Sequence, residues 1–263
     1  MKQKIVIDTD IGTDVDDAFA LAYIIRNPDA DLKAVSTVIG NTEIRAKIAR
    51  KLERILQADI PIIAGQRGPE DSVKKFWTGI EQQALAPEEL KEPFKNSEYP
   101  EYTPNTNLIC IGPLTNIALQ LQTSPSIKNV KNIYVMGASE SSHNFKADLK
   151  AWHEVNQQPW NIYQITKHDS EKISIAKKEL EELRINPLGN FLYESAIRWL
   201  NHVNNGWIDH TPKTSCAMYD VLTVSAGIGE DYVKFRQISE NRFLSCDVSL
   251  DLKDKLMERI KCY

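Results

Sequence analysis

The chain has 263 residues, of which 42% are apolar and 26% charged, and its formal net charge is −4. This length allows one large α/β domain or two small ones, and the composition is that of an ordinary soluble globular protein. A slightly acidic chain argues against a general binder of nucleic acids or anionic membranes, because both need a basic surface. No apolar run approaches the roughly 20 residues of a membrane span. The N-terminus turns acidic too early for a secretory leader, so we expect a cytoplasmic protein.

Short apolar runs alternate with helical patterns along the chain. In order we predict a strand at 4–7, a helix at 18–26, a strand at 32–39, a helix at 43–56, strands at 60–64, 108–111 and 132–136, a helix at 148–157, a strand at 160–165, and helices at 177–183, 192–202 and 222–226. The polar segment 66–105 should cover one end of the sheet, and a short strand and a helix should follow residue 243. This alternation predicts one domain over residues 1–263, an α/β fold with a Rossmann-like, mostly parallel open sheet and helices on both faces. Ligands of such sheets bind beyond the carboxyl ends of the strands.

An acidic cluster follows the first predicted strand in the stretch VIDTDIGTDVDDAFAL. Its five aspartates within ten positions are Asp8, Asp10, Asp14, Asp16 and Asp17. Capping of the next helix explains one of them, but Asp8 and Asp10 alternate on a strand and therefore point into the same space. Clustered carboxylates suit a hard cation such as Ca²⁺, and Gly12 would let the loop fold around it. The spacing is not that of an EF-hand, which needs a glycine and a glutamate at positions that differ here.

This stretch resembles the N-terminal motif of the inosine–uridine-preferring nucleoside hydrolase family, roughly DxDxGxDDxxAL, with two extra residues after Gly12. The resemblance implies Ca²⁺-dependent hydrolysis of the N-glycosidic bond of a ribonucleoside, which releases the base and ribose. It also implies residue roles. Asp10 matches the metal ligand that activates a calcium-bound water, Asp16 matches the residue that binds the ribose hydroxyls and the ion, and Asp17 matches a further Ca²⁺ ligand.

Later segments resemble the same family in the same order. STVIGN ends in Asn41, which matches a ribose-binding asparagine, and IGPLTNIAL places Ile111 where the family donates a backbone carbonyl to Ca²⁺. IYVMGA places Met136 beside the sugar, and MYDVLTVSA places Asp220 at a late Ca²⁺ ligand. Taken singly, each could be a turn, a helix cap or a core residue. Their common order supports the functional interpretation.

The sequence departs from the family in the parts that hold the ribose and the base. We align SHNFKADLKAW with the family's ribose-binding segment, so that Asn144 matches its asparagine and Ser142 replaces its glutamate. A rival alignment uses HEVN, with Glu154 and Asn156 in those roles.

Two family histidines near the base are also absent. Tyr219 stands where one of them protonates the leaving group, and it is the candidate acid, although a phenol is a weaker acid than imidazolium. Trp77, in FWTGIE, could stack on the base.

Two other functions remain open. DTDIGT superficially resembles the DxDGT motif of haloacid-dehalogenase-like phosphatases, but Ile11 interrupts it. The missing histidines also allow a catalytically impaired homologue that binds Ca²⁺ and ribose. For the hydrolase we expect a small nucleoside as substrate, no nucleic-acid or membrane partner, and a homo-oligomer, either a dimer or a tetramer as the family implies.

Overall fold

The computed structural model describes residues 2–206 and 213–262. Within them the strands are β1 (Gln3–Thr9), β2 (Ala30–Thr37), β3 (Ile62–Ala64), β4 (Thr106–Cys110), β5 (Asn132–Met136), β6 (Asn161–Ile165), β7 (Ser174–Ala176), β8 (Ser215–Ala217), β9 (Val233–Ser239) and β10 (Arg242–Val248). The helices are α1 (Asp16–Ile25), α2 (Thr42–Ile55), α3 (Glu70–Phe76), α4 (Pro87–Lys91), α5 (Thr115–Thr123), α6 (His143–Ala147), α7 (Leu149–Asn156), α8 (Lys167–Ser170), α9 (Lys177–Glu181), α10 (Pro187–Asn204), α11 (Tyr219–Ile228) and α12 (Asp251–Lys261).

Eight strands form one sheet in the order β3-β2-β1-β4-β5-β6-β10-β9, and β7 pairs with β8 in a separate two-stranded antiparallel ladder. Every pair in the large sheet is parallel except the last, where β9 runs antiparallel to β10. The predicted α/β class and mostly parallel sheet are therefore confirmed. Strand β9 was not predicted, because its sequence is largely exposed at the sheet edge and carries no buried apolar run.

The central strand β1 is buried on both faces. Ile5 and Ile7 pack into one hydrophobic core together with α1, α2, α10 and α11, whereas Val6 packs into a second core with α5 and α7. Successive side chains of a strand point to opposite faces, so this split shows that helices cover both sides of the sheet. The continuous apolar run before the first aspartate reflects that two-sided burial.

The order of the strands places a ligand-binding position at β1. The chain moves from β1 outward through β2 to β3, and then returns to the other side of β1 to form β4. Strand order reverses at this point, and ligands of open α/β sheets bind beyond the carboxyl ends of strands at such a switch. The aspartate-rich loop follows β1 directly and so occupies that position.

The polar segment 66–105 contains α3, a 3-10 turn at 80–84 and α4. Ser72 of α3 donates to the carbonyl of Ala147 in α6, and the ring of Phe76 packs against that of His143 in a tilted arrangement, with centroids 4.3 Å apart. The segment therefore reaches across the carboxyl edge of the sheet, as predicted. Within the described part of the chain, no helix combines the length and the apolar character needed to cross a membrane.

Candidate active site

Three buried aspartates meet at the carboxyl edge of the sheet. Asp16 and Asp17 form the first turn of α1, and Asp220 lies in the first turn of α11, which packs against α1. Each residue is 4% exposed, and their carboxylate oxygens lie within 4.8 Å of one another. Helix N-termini favour negative charge, which explains why both helices can begin with carboxylates at one point. Helix α1 begins at Asp16, two residues earlier than predicted, so both aspartates lie inside its first turn and do not precede it.

The electrostatics of this cluster fit a cation site. Burial raises the pKa of Asp16, Asp17 and Asp220 well above the usual range, and the neighbouring carboxylates raise each pKa further. Thr9 donates a hydrogen bond to Asp17, which stabilises only one of these charges. Buried carboxylates in this number are costly unless they are paired or bind a metal. The donor set is all oxygen, as hard divalent cations prefer.

Asp10 lies beside the three-aspartate group without belonging to it. Gly112, two residues after the end of β4, makes room for it: a Cβ atom at this glycine would lie 3.0 Å from Asp10 Oδ1. Burial raises the pKa of Asp10, while the positive charge of Arg45 and the ring of His143 oppose that rise. Asp10 is partly buried, whereas Asp16, Asp17 and Asp220 are buried, so it is the member of the group best placed to accept a proton from a ligand.

Asn144 connects the ends of two strands at the site. Its side-chain Nδ2 donates to the carbonyl of Ile111 at 2.8 Å and to the carbonyl of Met136 at 3.3 Å. The Ile111 carbonyl therefore lies at the site, and a carbonyl oxygen has a second lone pair left for a ligand. Asn144 itself is buried, with 7% of its surface exposed.

The alternative alignment is not favoured by these positions. Glu154 and Asn156 lie on α7, and Asn156 Oδ1 accepts a hydrogen bond from Arg242 at 2.9 Å, where β10 begins. Because β10 runs parallel to β6 and β5, its start lies at the amino edge of the sheet, opposite the aspartates.

Three further candidates have partners within the protein. Asn41 is exposed and accepts a hydrogen bond from the backbone N–H of Ile44 at 3.2 Å, which caps α2. The Trp77 ring packs on Gly40, where an added Cβ atom would lie 2.4 Å from it. The Tyr219 hydroxyl donates to Glu171 Oε1 at 3.2 Å, and burial raises the pKa of this phenol above its ordinary value. None of these contacts involves the three-aspartate group.

The remaining aspartates of the motif have local roles. Asp8 is buried, and its Oδ1 accepts hydrogen bonds from Ser36 and from Asn116 Nδ2, the latter at 2.7 Å. Burial raises the pKa of Asp8 to about 7. Asp14 accepts from the backbone N–H of Val15 at 2.6 Å, and burial raises its pKa to about 7 as well.

Sequence reasoning missed two buried charges next to Asp10, namely Arg45 on α2 and Glu81 after α3. Arg45 had a detectable sign, because it precedes Ile48 and Ala49 by three and four positions and so lies on the apolar face of α2. Glu81 had none, since it lies in a polar segment without periodicity. His143 was also passed over, although it directly precedes Asn144.

Comparisons with known proteins identify the family and the fold of the chain. Residues 5–257 match the family model described as inosine-uridine preferring nucleoside hydrolase. The non-specific ribonucleoside hydrolase RihC of Klebsiella pneumoniae is 29% identical over 165 residues, which cover 55% of this chain and 52% of that relative. The match thus spans about half the length of this curated relative.

Solved structures share the fold over the whole chain. The purine-preferring ribonucleoside hydrolase from Gardnerella vaginalis aligns with a TM-score of 0.82 and 17% identity, covering 98% of both chains. The plant nucleoside hydrolase PpNRh1 aligns with a TM-score of 0.78 and 17% identity, covering 100% of both. At this identity the likeness establishes the fold alone. The family model covers nearly all of the sequence, so the chain belongs to the inosine-uridine preferring nucleoside hydrolase family.

Proposed function

We propose that this protein hydrolyses the N-glycosidic bond of a ribonucleoside and releases the free base and ribose. The observation that carries the proposal is the buried group of Asp16, Asp17 and Asp220 beside Asp10, at the switch point of the sheet. Membership in the family and the name of the Klebsiella relative support it. A phosphatase of the haloacid-dehalogenase type has no such support.

We propose Ca²⁺ as the cofactor, with carboxylates of Asp10, Asp16, Asp17 and Asp220 and the carbonyl of Ile111 as its ligands. The all-oxygen donor set and its mutual repulsion fit this ion. A bound Ca²⁺ would lower the pKa of water and orient the ribose hydroxyls.

The chain's own residues would then perform the reaction. Asp10 takes a proton from the attacking water, because its carboxylate is the accessible member of the acidic group. Asp16 and Asn144 bind ribose hydroxyls, with Met136 beside the sugar, and hold the anomeric carbon in place. The surrounding carboxylates favour the positive charge that develops on the sugar ring as the bond to the base breaks.

The roles of three further residues follow from the resemblance of the sequence to the family. We propose that Trp77 stacks on the base, that Asn41 contacts the ribose, and that Tyr219 is the group available to protonate the leaving base. We further propose that residues 1–263 act as one domain, in a cytoplasmic homo-oligomer, either a dimer or a tetramer, whose partner is a small nucleoside.

The test is ribose release from a panel of inosine, uridine, cytidine, adenosine and nicotinamide riboside in the presence of Ca²⁺, measured as reducing sugar. Asp10→Ala should lower kcat by about 10²–10⁴-fold, the range typical of a lost general base. Asp31→Asn, which replaces a partly exposed carboxylate paired with Lys33, is the matched control and should keep full activity.

A second candidate function is a protein that binds Ca²⁺ and ribose without turnover. The observation in its favour is the Tyr219 hydroxyl, which is bonded to Glu171 and so less available to the leaving base. Ca²⁺ and ribose binding by calorimetry without release from any nucleoside would establish this alternative and overturn the hydrolase.

A further inference from the structure

Arg45 is a fully buried guanidinium that holds two loops of the site by their backbones. Its Nε donates to the carbonyl of Ile39 at 2.8 Å, and its Nη1 donates to the carbonyls of Ile11, at 2.8 Å, and Asp10. Arg45 itself is 0% exposed. One side chain from α2 therefore connects the loop after β1, which carries Asp10, to the loop after β2.

The loop after β2 has a backbone conformation that needs support. Ile39 has φ 62°, and its carbonyl accepts the hydrogen bond from Arg45 Nε. A β-branched residue with positive φ is strained, so it persists only where the surroundings favour it. The hydrogen bonds of Arg45 supply part of that support.

Glu81 is the buried counter-charge of Arg45 and is also 0% exposed. Its Oε1 lies 3.9 Å from Arg45 Nη2 and accepts from the hydroxyl of Thr13, which in turn accepts from Nη2 at 3.2 Å. It also accepts from the backbone N–H of Thr78 at 3.3 Å. The guanidinium lies 5.2 Å from the centroid of the Trp77 ring. The pair thus connects the Asp10 loop to the segment that carries Trp77.

A buried ion pair of this kind is a poor source of stability. Desolvation of the two charges offsets much of their attraction, and apolar residues of similar volume often stabilise a protein as well or better. A planar guanidinium can hold several carbonyls at fixed angles, which neither an apolar side chain nor a lysine can do. The arrangement is therefore better explained by geometry than by stability.

We propose that Arg45 and Glu81 are positioning residues for the reaction, which fix the backbone of Asp10 and connect it to the Trp77 segment. This inference rests on the proposed function, because Asp10 is a general base only if the protein is a hydrolase. Neither side chain contacts a reacting atom in this scheme. Both act through Asp10 and Trp77.

The test compares Arg45→Met, Arg45→Lys and Glu81→Gln, with Arg54→Met as the matched control. Arg54 lies on the same helix in an exposed pair with Glu92. Arg45→Met should lower kcat by about 10²-fold, because misplacement of a catalytic group by about 1 Å has effects of this size. Its Ca²⁺ affinity by calorimetry and its KM should change less than kcat does, because Asp16, Asp17 and Asp220 do not contact Arg45 and keep their positions. Arg45→Lys should recover little, Glu81→Gln should lower kcat less than Arg45→Met does, and Arg54→Met should leave kcat unchanged.

Hydrogen exchange keeps the two proposals distinguishable. In Arg45→Met, amides of residues 10–13 and 78–81 should exchange faster together, while amides in the second half of α2 should not change. This result is expected even if the wild type releases no ribose, in which case only the hydrolase proposal fails. Unchanged exchange in both segments, or a folded Arg45→Met with wild-type kcat, would overturn the positioning role. If Arg45→Met does not fold, Glu81→Gln decides: unchanged kcat and unchanged exchange at residues 10–13 would overturn it.

Discussion

Two regions of the site are built differently. The acidic floor (Asp10, Asp16, Asp17 and Asp220) consists of carboxylates that face one another at the strand and helix ends. The rim (Asn41, Trp77 and Tyr219) consists of exposed or half-buried groups whose contacts are satisfied by the protein itself: a helix cap, a packed ring and a hydrogen bond to Glu171. The floor is thus organised for a ligand that the protein cannot replace, whereas the rim groups must give up a partner before they can contact one. The following experiments test whether the floor and the rim differ in this way.

The largest effect should follow removal of metal from the floor. With EGTA, ribose release should be lost. The metal-free protein should lose stability as pH rises from about 4 to about 7, because burial raises the pKa of Asp14 from 3.8 to about 7. A carboxyl that holds its proton more tightly when folded binds fewer protons once unfolded, so rising pH favours unfolding. Thermal unfolding at several pH values, with and without Ca²⁺, measures this pH dependence of the stability.

Saturation with Ca²⁺ should remove most of that pH dependence and add about 2.7 kcal/mol when its concentration is 100 times Kd. Asp220→Asn is the informative variant. It should weaken Ca²⁺ binding and yet make the metal-free protein more stable at pH 7, because one of three mutually repelling carboxylates is gone. A metal-free protein that is most stable at pH 7, or a melting temperature indifferent to Ca²⁺, would contradict the metal site.

Asn144→Ala should have the next largest effect, since Asn144 binds the carbonyl of Ile111, which is a proposed Ca²⁺ ligand next to the acidic floor. Loss of its hydrogen bonds to Ile111 and Met136 should lower the free energy of unfolding by about 1–3 kcal/mol. Loss of the proposed hydrogen bond between Asn144 and a ribose hydroxyl should also raise KM for the nucleoside by about tenfold. Steady-state kinetics and urea unfolding measure the two effects, with the exposed Asn190→Ala as control. Equal KM values for the variant and the wild type would show that Asn144 does not bind the ribose.

In the rim, Tyr219→Phe should have a smaller effect on activity than Asn144→Ala has. Because the hydroxyl is bonded to Glu171 and burial raises the pKa of the phenol, we expect kcat to fall by less than about tenfold. Rates should be compared for inosine and for a substrate whose leaving group needs no proton, such as nicotinamide riboside. A fall of about 10²-fold for inosine alone would instead identify the phenol as the general acid.

Asn41 should show the smallest effect, and a pair of variants separates its two roles. Asn41→Ala removes the cap of α2 and should lower stability by about 1 kcal/mol. Asn41→Asp keeps a capping oxygen, so its stability should match the wild type. If the Asp variant nevertheless has a raised KM, Asn41 binds the sugar. Matching KM values in all three proteins would leave it as a helix cap alone.

The fold was largely predictable from local patterns. The two-sided burial of β1 and β4 produces continuous apolar runs, and the helices between strands have apolar stripes, so the parallel sheet followed directly. The exposed edge strand β9 and the short helices α6 and α8 were missed, because their few buried residues leave no periodic pattern. The aspartates of the floor were identified from the motif after β1 and from the late match at Asp220.

The local sequence was enough to predict a cation site, because carboxylates crowded after a buried strand are costly unless they bind one. Which of these groups meet depends on contacts between distant parts of the chain. The tertiary structure brought Asp220 to Asp16 and Asp17 across about 200 residues by packing α11 on α1. It placed Asn144, rather than Asn156, at the carboxyl edge. It also buried Arg45 against Glu81, a pairing that depends on long-range packing and therefore leaves no trace in any short stretch of sequence.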